Sequence, residues 1–157
     1  MQFRLILTCL LFAGFTSSAQ TNLPFDTQDS TLFILDSVET SSGMNGLSPD
    51  RIAMINVVKG KKLQERFGPR AANGVIYIET KPFARQRYTK MFAEVSPDYA
   101  TALKQYGSDS SFSYVLYGSE LTNSVEPMLA AVERKDIDKI IVKKAGKEVK
   151  VLIEAKK

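Results

Sequence analysis

The sequence of 157 residues contains no histidine, no tryptophan and a single cysteine. Lacking histidine, it has no side chain that titrates unassisted near neutrality and lacks the commonest nitrogen ligand for transition metals. With Cys9 alone no intrachain disulfide can form, so stability has to come from packing. No apolar run reaches the ~20 residues that a membrane-spanning helix needs; the longest, Leu5 to Phe15, stops well short. What is present is ordinary for a globular chain: 44% apolar, 24% charged and a formal charge of +4. A mild excess of cations favours anionic neighbours without naming one.

The N-terminus reads as a leader. Arg4 precedes the apolar run, and Ser17-Ser18-Ala19 is a small-x-small cleavage site before Gln20, the layout of a secretory signal peptide. Cys9 sits inside that run, too early for the acylated cysteine of a lipoprotein, and is expected to leave with the leader. Cleavage after Ala19 would leave 138 residues without cysteine and with a charge of +3. A chain of that size can build one core, in one domain or two small intimate halves.

Beyond a polar arm with Pro24, Leu32 to Leu35 reads as a strand closed by a turn at Asp36-Ser37, and Ser41 to Leu47 as loop. Ser48-Pro49-Asp50 supplies a cap, a first-position proline and an acid for a brief helix before the β-branched strand Ile55 to Val58. Lys61 to Phe67 fits two helical turns, stopped by Gly68-Pro69, and Asn73-Gly74 turns into the strand Val75 to Ile78. Lys81 to Phe92 mixes basic and aromatic residues without a clear period and reads as a solvated connector. Ser96-Pro97-Asp98 opens a helix carrying Tyr99, Leu103 and Tyr106 on one face, ended by Gly107. Strand Phe112 to Tyr117 follows. Asn123 and Glu126 then fit a capping box for a helix with Val125, Leu129 and Val132, and strands Ile137 to Lys143 and Val149 to Ile153 join through Ala145-Gly146-Lys147.

The last third echoes the first. FILDSVET answers YVLYGSELT, RIAMINVVK answers DIDKIIVKK, and VIYIETK answers VLIEAKK, with Lys61 to Asn73 as an insert present only in the first copy. The echo reads as an internal duplication of a strand–helix–strand–strand unit; chance likeness of short β-branched runs is the competing reading. The expected class is α+β, two such units in one compact domain. Its parts are a signal peptide over 1–19, a flexible arm over 20–30, a first unit over 31–82, a connector with helix over 83–111 and a second unit over 112–157. The apolar positions expected inside are Ile34, Ile55, Val57, Phe67, Val75, Ile78, Leu116, Leu129, Ile140, Val142 and Val151.

Residues LFILDS, then SPDRIAMINVVKG, then FGPRAANGVIYIETK resemble the plug domain of TonB-dependent outer-membrane receptors and related detached modules. The likeness is closest over Arg70 to Lys81. It departs at Ser37, where that family usually has glycine, and at Arg51, where an acid is common. The resemblance implies a plug-like fold at the outer membrane or in the periplasm. In that family the plug sits inside a 22-stranded barrel, which at ~10 residues per membrane strand takes more than 200 residues. The 76 residues after Lys81 cannot supply one, and Gln20 to Thr31 shows no hydrophobic stretch like a TonB box.

Sites for chemistry are sparse. Asp136 and Asp138 would share one face of a strand, but Lys135 and Lys139 flank them and a solvated charged face is the expectation. The segment Gly68 to Gly74 lacks the spacing of a phosphate loop. Ser and Thr have no histidine to activate them and no Ser-x-x-Lys pattern occurs. The expectation is therefore a non-catalytic binding or interaction module, without cofactor or metal, accessory to an outer-membrane receptor or envelope sensor. The alternative is a structural remnant or accessory with no ligand of its own. Arg70, Arg85, Arg87 and Lys90 are the candidate contact residues, for an envelope protein or an anionic glycan or lipid headgroup, and not for nucleic acid. The lysines toward the C-terminus read as protection of strand edges and of the terminus.

Overall fold

The computed structural model describes residues 31–156; the expected leader and arm lie outside them. Strands β1 (Thr31–Leu35) and β2 (Val38–Thr40) close on the two-residue turn Asp36-Ser37, where both residues adopt positive φ, 48° and 70°. That is the hairpin geometry whose twist matches the strands, and Ser37 adopts it where the plug resemblance would put glycine. The Asp36 amide donates to the Ile78 carbonyl (2.9 Å), and its carboxylate accepts from the Thr80 amide and hydroxyl, both at 2.8 Å. After a 3-10 turn, Pro49–Arg51, come β3 (Ile52–Val58), α1 (Lys61–Phe67), a second 3-10 turn, Gly68–Ala71, and β4 (Gly74–Thr80). The sheet runs β2-β1-β4-β3, with β1 parallel and β3 antiparallel to β4.

Two helices follow directly. Helix α2 (Lys81–Val95) is capped by the Thr80 hydroxyl, and α3 (Pro97–Tyr106) by the Ser96 hydroxyl accepting from the Tyr99 amide; α3 ends at Gly107 in the left-handed conformation. Then β5 (Phe112–Leu116), β6 (Ser119–Leu121), α4 (Val125–Ala130), the 3-10 turn Arg134–Asp136, β7 (Ile137–Ala145) and β8 (Glu148–Ala155) build a second sheet, β6-β5-β8-β7. Of the described residues 38% are helical and 37% lie in strands, so the class is α+β.

The two sheets have the same plan down to the register. Ile55 pairs with Ile78 as Ile140 pairs with Ile153, and Val57 with Ile76 as Val142 with Val151. Each third strand carries an irregularity at the same step, Ile52/Met54 and Ile137/Lys139. The Tyr117 amide donates to the Ile153 carbonyl as Asp36 does to Ile78. The first copy's insert is α1 with its 3-10 turn, where the second copy joins β7 to β8 through Gly146-Lys147 alone; between its second and third strands the second copy has α4 where the first has only loop and a 3-10 turn.

That insert decides which face each sheet buries. In the first sheet α1 and its turn fold back so that Leu63, Phe67 and Ala71 cover Leu32, Ile34, Val75 and Tyr77. In the second sheet a two-residue turn can cover nothing, and the corresponding positions Ser113, Val115, Lys150 and Leu152, two of them polar, stay exposed or half-buried. Its opposite face packs on α2 and α3, where Tyr88, Phe92, Tyr99 and Ala102 meet Phe112, Tyr114, Ile140, Val151 and Ile153 in the main core. Edge-to-face aromatic contacts (Phe92–Tyr99, Tyr99–Phe112, Tyr106–Phe112) hold this core together.

Three expectations need correction. Ile55 and Val57 are exposed, 47% and 56%, because the insert covers the other face of their sheet. Lys81 to Phe92 is no solvated connector but most of α2, burying Ala84, Tyr88 and Phe92 at i, i+4 and i+8. The Asn123/Glu126 capping box does not form: Ser124, at positive φ, is the residue before α4, it makes no side-chain cap, and Glu126 turns to Arg85 instead. Of the other expected core positions, Val75, Ile78, Leu129, Ile140 and Val151 are buried, while Ile34, Phe67, Leu116 and Val142 are half-buried.

Candidate functional site

The four candidate cations do not form one patch. Arg70 lies on the 3-10 turn after α1, exposed and paired with Glu39 of β2. Arg85, Arg87 and Lys90 all lie on α2, and the first two point into the junction between the sheets. Arg87 donates to Glu79 of β4 (2.8 and 3.1 Å) and to the Ala130 carbonyl at the end of α4 (2.6 Å). Arg85 donates to Glu126 of α4 at 2.8 Å. Between these bonds Ala53 of β3, Ala84 of α2 and Ala130 of α4 meet, small residues that let three elements approach closely. So α2 staples the first sheet to the helix of the second unit. Lys90 is exposed and forms no ion pair among the described residues.

Behind Arg85 lies a buried polar chain that carried no motif in the sequence. Asp109, 3% exposed, accepts from the Tyr114 hydroxyl at 2.7 Å through Oδ2, and the Tyr114 and Tyr99 hydroxyls stand 2.9 Å apart. Asp109 Oδ1 is 3.4 Å from Arg85 Nε yet has no hydrogen-bond partner. The single hydrogen on Nε is donated to the Tyr88 hydroxyl (3.3 Å), so Oδ1 receives charge but no proton. The bond to Tyr88, with the charges of Asp109 and Glu126, raises the Arg85 pKa further. Burial pushes the Tyr88 phenol up to about 12, and burial likewise raises Tyr99 and Tyr114, beyond Tyr88. None of the three is a phenolate near neutral pH, so none can act as a base there.

The surface offers shallow grooves. One of about 510 Å³ runs over the open face of the second sheet along Ser113, Glu120, Lys143 and Lys150, bridged by the Lys150–Glu120 pair. Another of about 400 Å³ lies beside Arg85 and Glu126, with Lys81, Pro82 and Gln86. Asp136 and Asp138 do not converge: Asp136 ends a 3-10 turn and is half-buried, while Asp138 is exposed in β7. Among the described residues no three His, Cys, Asp or Glu side chains gather where they could hold a metal ion. No helix among them is long and apolar enough to cross a membrane. Neither a family model, nor a curated protein, nor a solved structure matches the chain.

Proposed function

We propose that the chain is an exported, non-catalytic interaction module of plug-like design, acting in the periplasm or at the outer-membrane periphery beside a receptor or envelope sensor. The observation that carries this reading is the stretch Arg70 to Lys81, whose order of turn, strand and flanking residues resembles a receptor plug. Its strand β4 lies second from one edge of a sheet whose plan the chain then repeats. A module of this kind meets a partner by strand addition at a short edge or by loop contacts. The first sheet offers edges β2 and β3, with Arg70 beside β2. Lys90, exposed on α2 and in no ion pair among the described residues, is the candidate cation of that helix for a partner's carboxylate, a glycan or a lipid headgroup.

A second reading, a structural accessory with no ligand, draws support from Arg85 and Arg87. Their guanidiniums are engaged inside the chain, which removes the centre of the basic patch. Photo-crosslinkers placed at Arg70 and Lys90 in intact cells separate the two. One defined envelope protein, captured from both positions and lost with Arg70→Glu and Lys90→Glu, supports the interaction module. Capture of nothing specific supports the accessory.

A further inference from the structure

The insert that covers the first sheet is also basic. From Lys59 to Arg66 four cations, Lys59, Lys61, Lys62 and Arg66, stand against one acid, Glu65, a net of +3 in eight residues. All five are exposed, and none forms an ion pair among the described residues. Lysines elsewhere do: Lys135, Lys139 and Lys150 each stand within 3.1 Å of a glutamate. The charges of α1 are placed where they work against the helix. Lys61 and Lys62 open it, at the end where the backbone amides already carry positive partial charge, with no acid in the first turn and no side-chain cap from Gly60. Lys62 and Arg66 lie four apart on one face and repel, and Lys61 with Glu65 has that spacing in the weaker order, cation first. By contrast Thr80 caps α2, and α3 has both the Ser96 cap and Asp98 in its first turn. A short helix that needed only to cover Leu32, Ile34, Val75 and Tyr77 would gain from acids where α1 has Lys61 and Lys62.

We propose that this basic surface of α1 seats the chain on an anionic lipid bilayer, through the headgroup phosphates. Leu63 and Phe67 are turned to the sheet, and the Arg66 guanidinium lies over the Phe67 ring, 5.0 Å from its centroid. No large apolar side chain of α1 is left to enter the acyl region, so the contact is electrostatic and stays at the headgroups. Neither groove described above includes a residue of α1. A polymer chain or a single fixed acid is held by a groove with converging donors; cations on long side chains over a convex helix suit a plane of many mobile anions. Each lysine or arginine near such a plane adds attraction that fades within a Debye length. None of these residues is among the contacts proposed above, and the inference does not rest on them.

Co-sedimentation with phosphatidylglycerol vesicles tests it, using the chain from Gln20 onward so that the apolar run Leu5 to Phe15 cannot insert. The chain should bind these vesicles at about 30 mM salt, release them by about 300 mM, and ignore phosphatidylcholine vesicles throughout. Lys61→Glu with Lys62→Glu should weaken binding at least about tenfold. Its urea midpoint should be no lower than the parent's, since acids suit the start of a helix. Glu65→Gln, which removes the one acid, should strengthen binding roughly fivefold. Lys147→Glu with Lys156→Glu makes the same change in net charge away from α1 and should lower binding by no more than about twofold. No binding to phosphatidylglycerol at low salt, equal binding to phosphatidylcholine, or an equal loss in the two double variants overturns the proposal. Retention on a sulfated polysaccharide without vesicle binding overturns it too, and assigns the surface to a soluble polyanion.

Discussion

Gly74 is the residue with least freedom to change. Its φ is +112°, and a Cβ there would sit 2.8 Å from the Val58 carbonyl oxygen on the neighbouring strand. Gly74→Ala should lower unfolding free energy by about 2–3 kcal/mol, from backbone strain and a backbone clash together. Ser37 presents the opposite case: it holds φ +70° with a side chain, in the position Gly118 occupies in the second hairpin. Ser37→Gly should stabilise by up to ~1 kcal/mol, since relief of left-handed strain exceeds the added freedom of the unfolded chain. Urea unfolding of the two variants checks both values. The buried phenols set the alkaline limit. Tyr88, Tyr99 and Tyr114 keep their protons in the fold to higher pH than in the unfolded chain, where each titrates near 10. Above that pH the unfolded chain binds fewer protons than the folded one, so stability falls as pH rises; below it these groups contribute no slope. The thermal midpoint should hold level from pH 7 to about 9 and drop beyond 10, and Tyr99→Phe should flatten the drop. A midpoint indifferent to pH 11 would contradict the burial of these hydroxyls.

At the scale of elements, α2 is where the two sheets are joined. Arg87 bonds Glu79 of one and the end of α4 in the other, with the pair only partly exposed (34% and 16%). Arg87→Met should cost about 1–2 kcal/mol, most of it from the stranded Ala130 carbonyl and Glu79 carboxylate rather than from ion-pair attraction. Arg85→Glu with Arg87→Glu, which faces new carboxylates onto Asp109, Glu126 and Glu79, should remove about 3 kcal/mol or more. If the double variant melts with the parent, α2 presents a contact surface and not a staple. Much of this architecture was legible beforehand: the Ser-Pro-Asp start and Gly107 stop of α3, the Gly146-Lys147 hairpin, and the repeat that aligned Ile55 with Ile140. What escaped was α2. It touches β3, β4, α3, α4 and β7 on different sides, and two arginines face inward to acids. Its buried residues therefore form a narrow line, Ala84–Tyr88–Phe92, inside a basic sequence rather than a broad apolar stripe. Ile55 and Val57 escaped for a different reason. A period of two shows which residues share a face but not whether anything covers it, and that depended on where the α1 insert folded. Asp109 offered no signal, for one carboxylate among serines, SDSS, gives no hint that two tyrosines and an arginine will close over it.

For the whole molecule, a repeated plan and its asymmetry work together. Two sheets of one plan bury opposite faces because one carries an insert and the other borrows the helices between them. The main core gathers in the second half, around Tyr88, Phe92, Tyr99 and Leu129, while the first sheet is held by a small cluster under α1 and by the staple of α2. Such a first sheet should not stand alone, and the central claim is that both halves fold as one cooperative unit with no surrounding barrel. Equilibrium urea unfolding of the chain from Gln20, followed at once by far-ultraviolet circular dichroism and by a fluorophore attached at Val38→Cys in the first sheet, measures this directly. The account expects one sigmoidal transition with coincident midpoints at the two probes. A chain without structure in plain buffer, or a first-sheet probe that melts well before the circular dichroism signal, would contradict it.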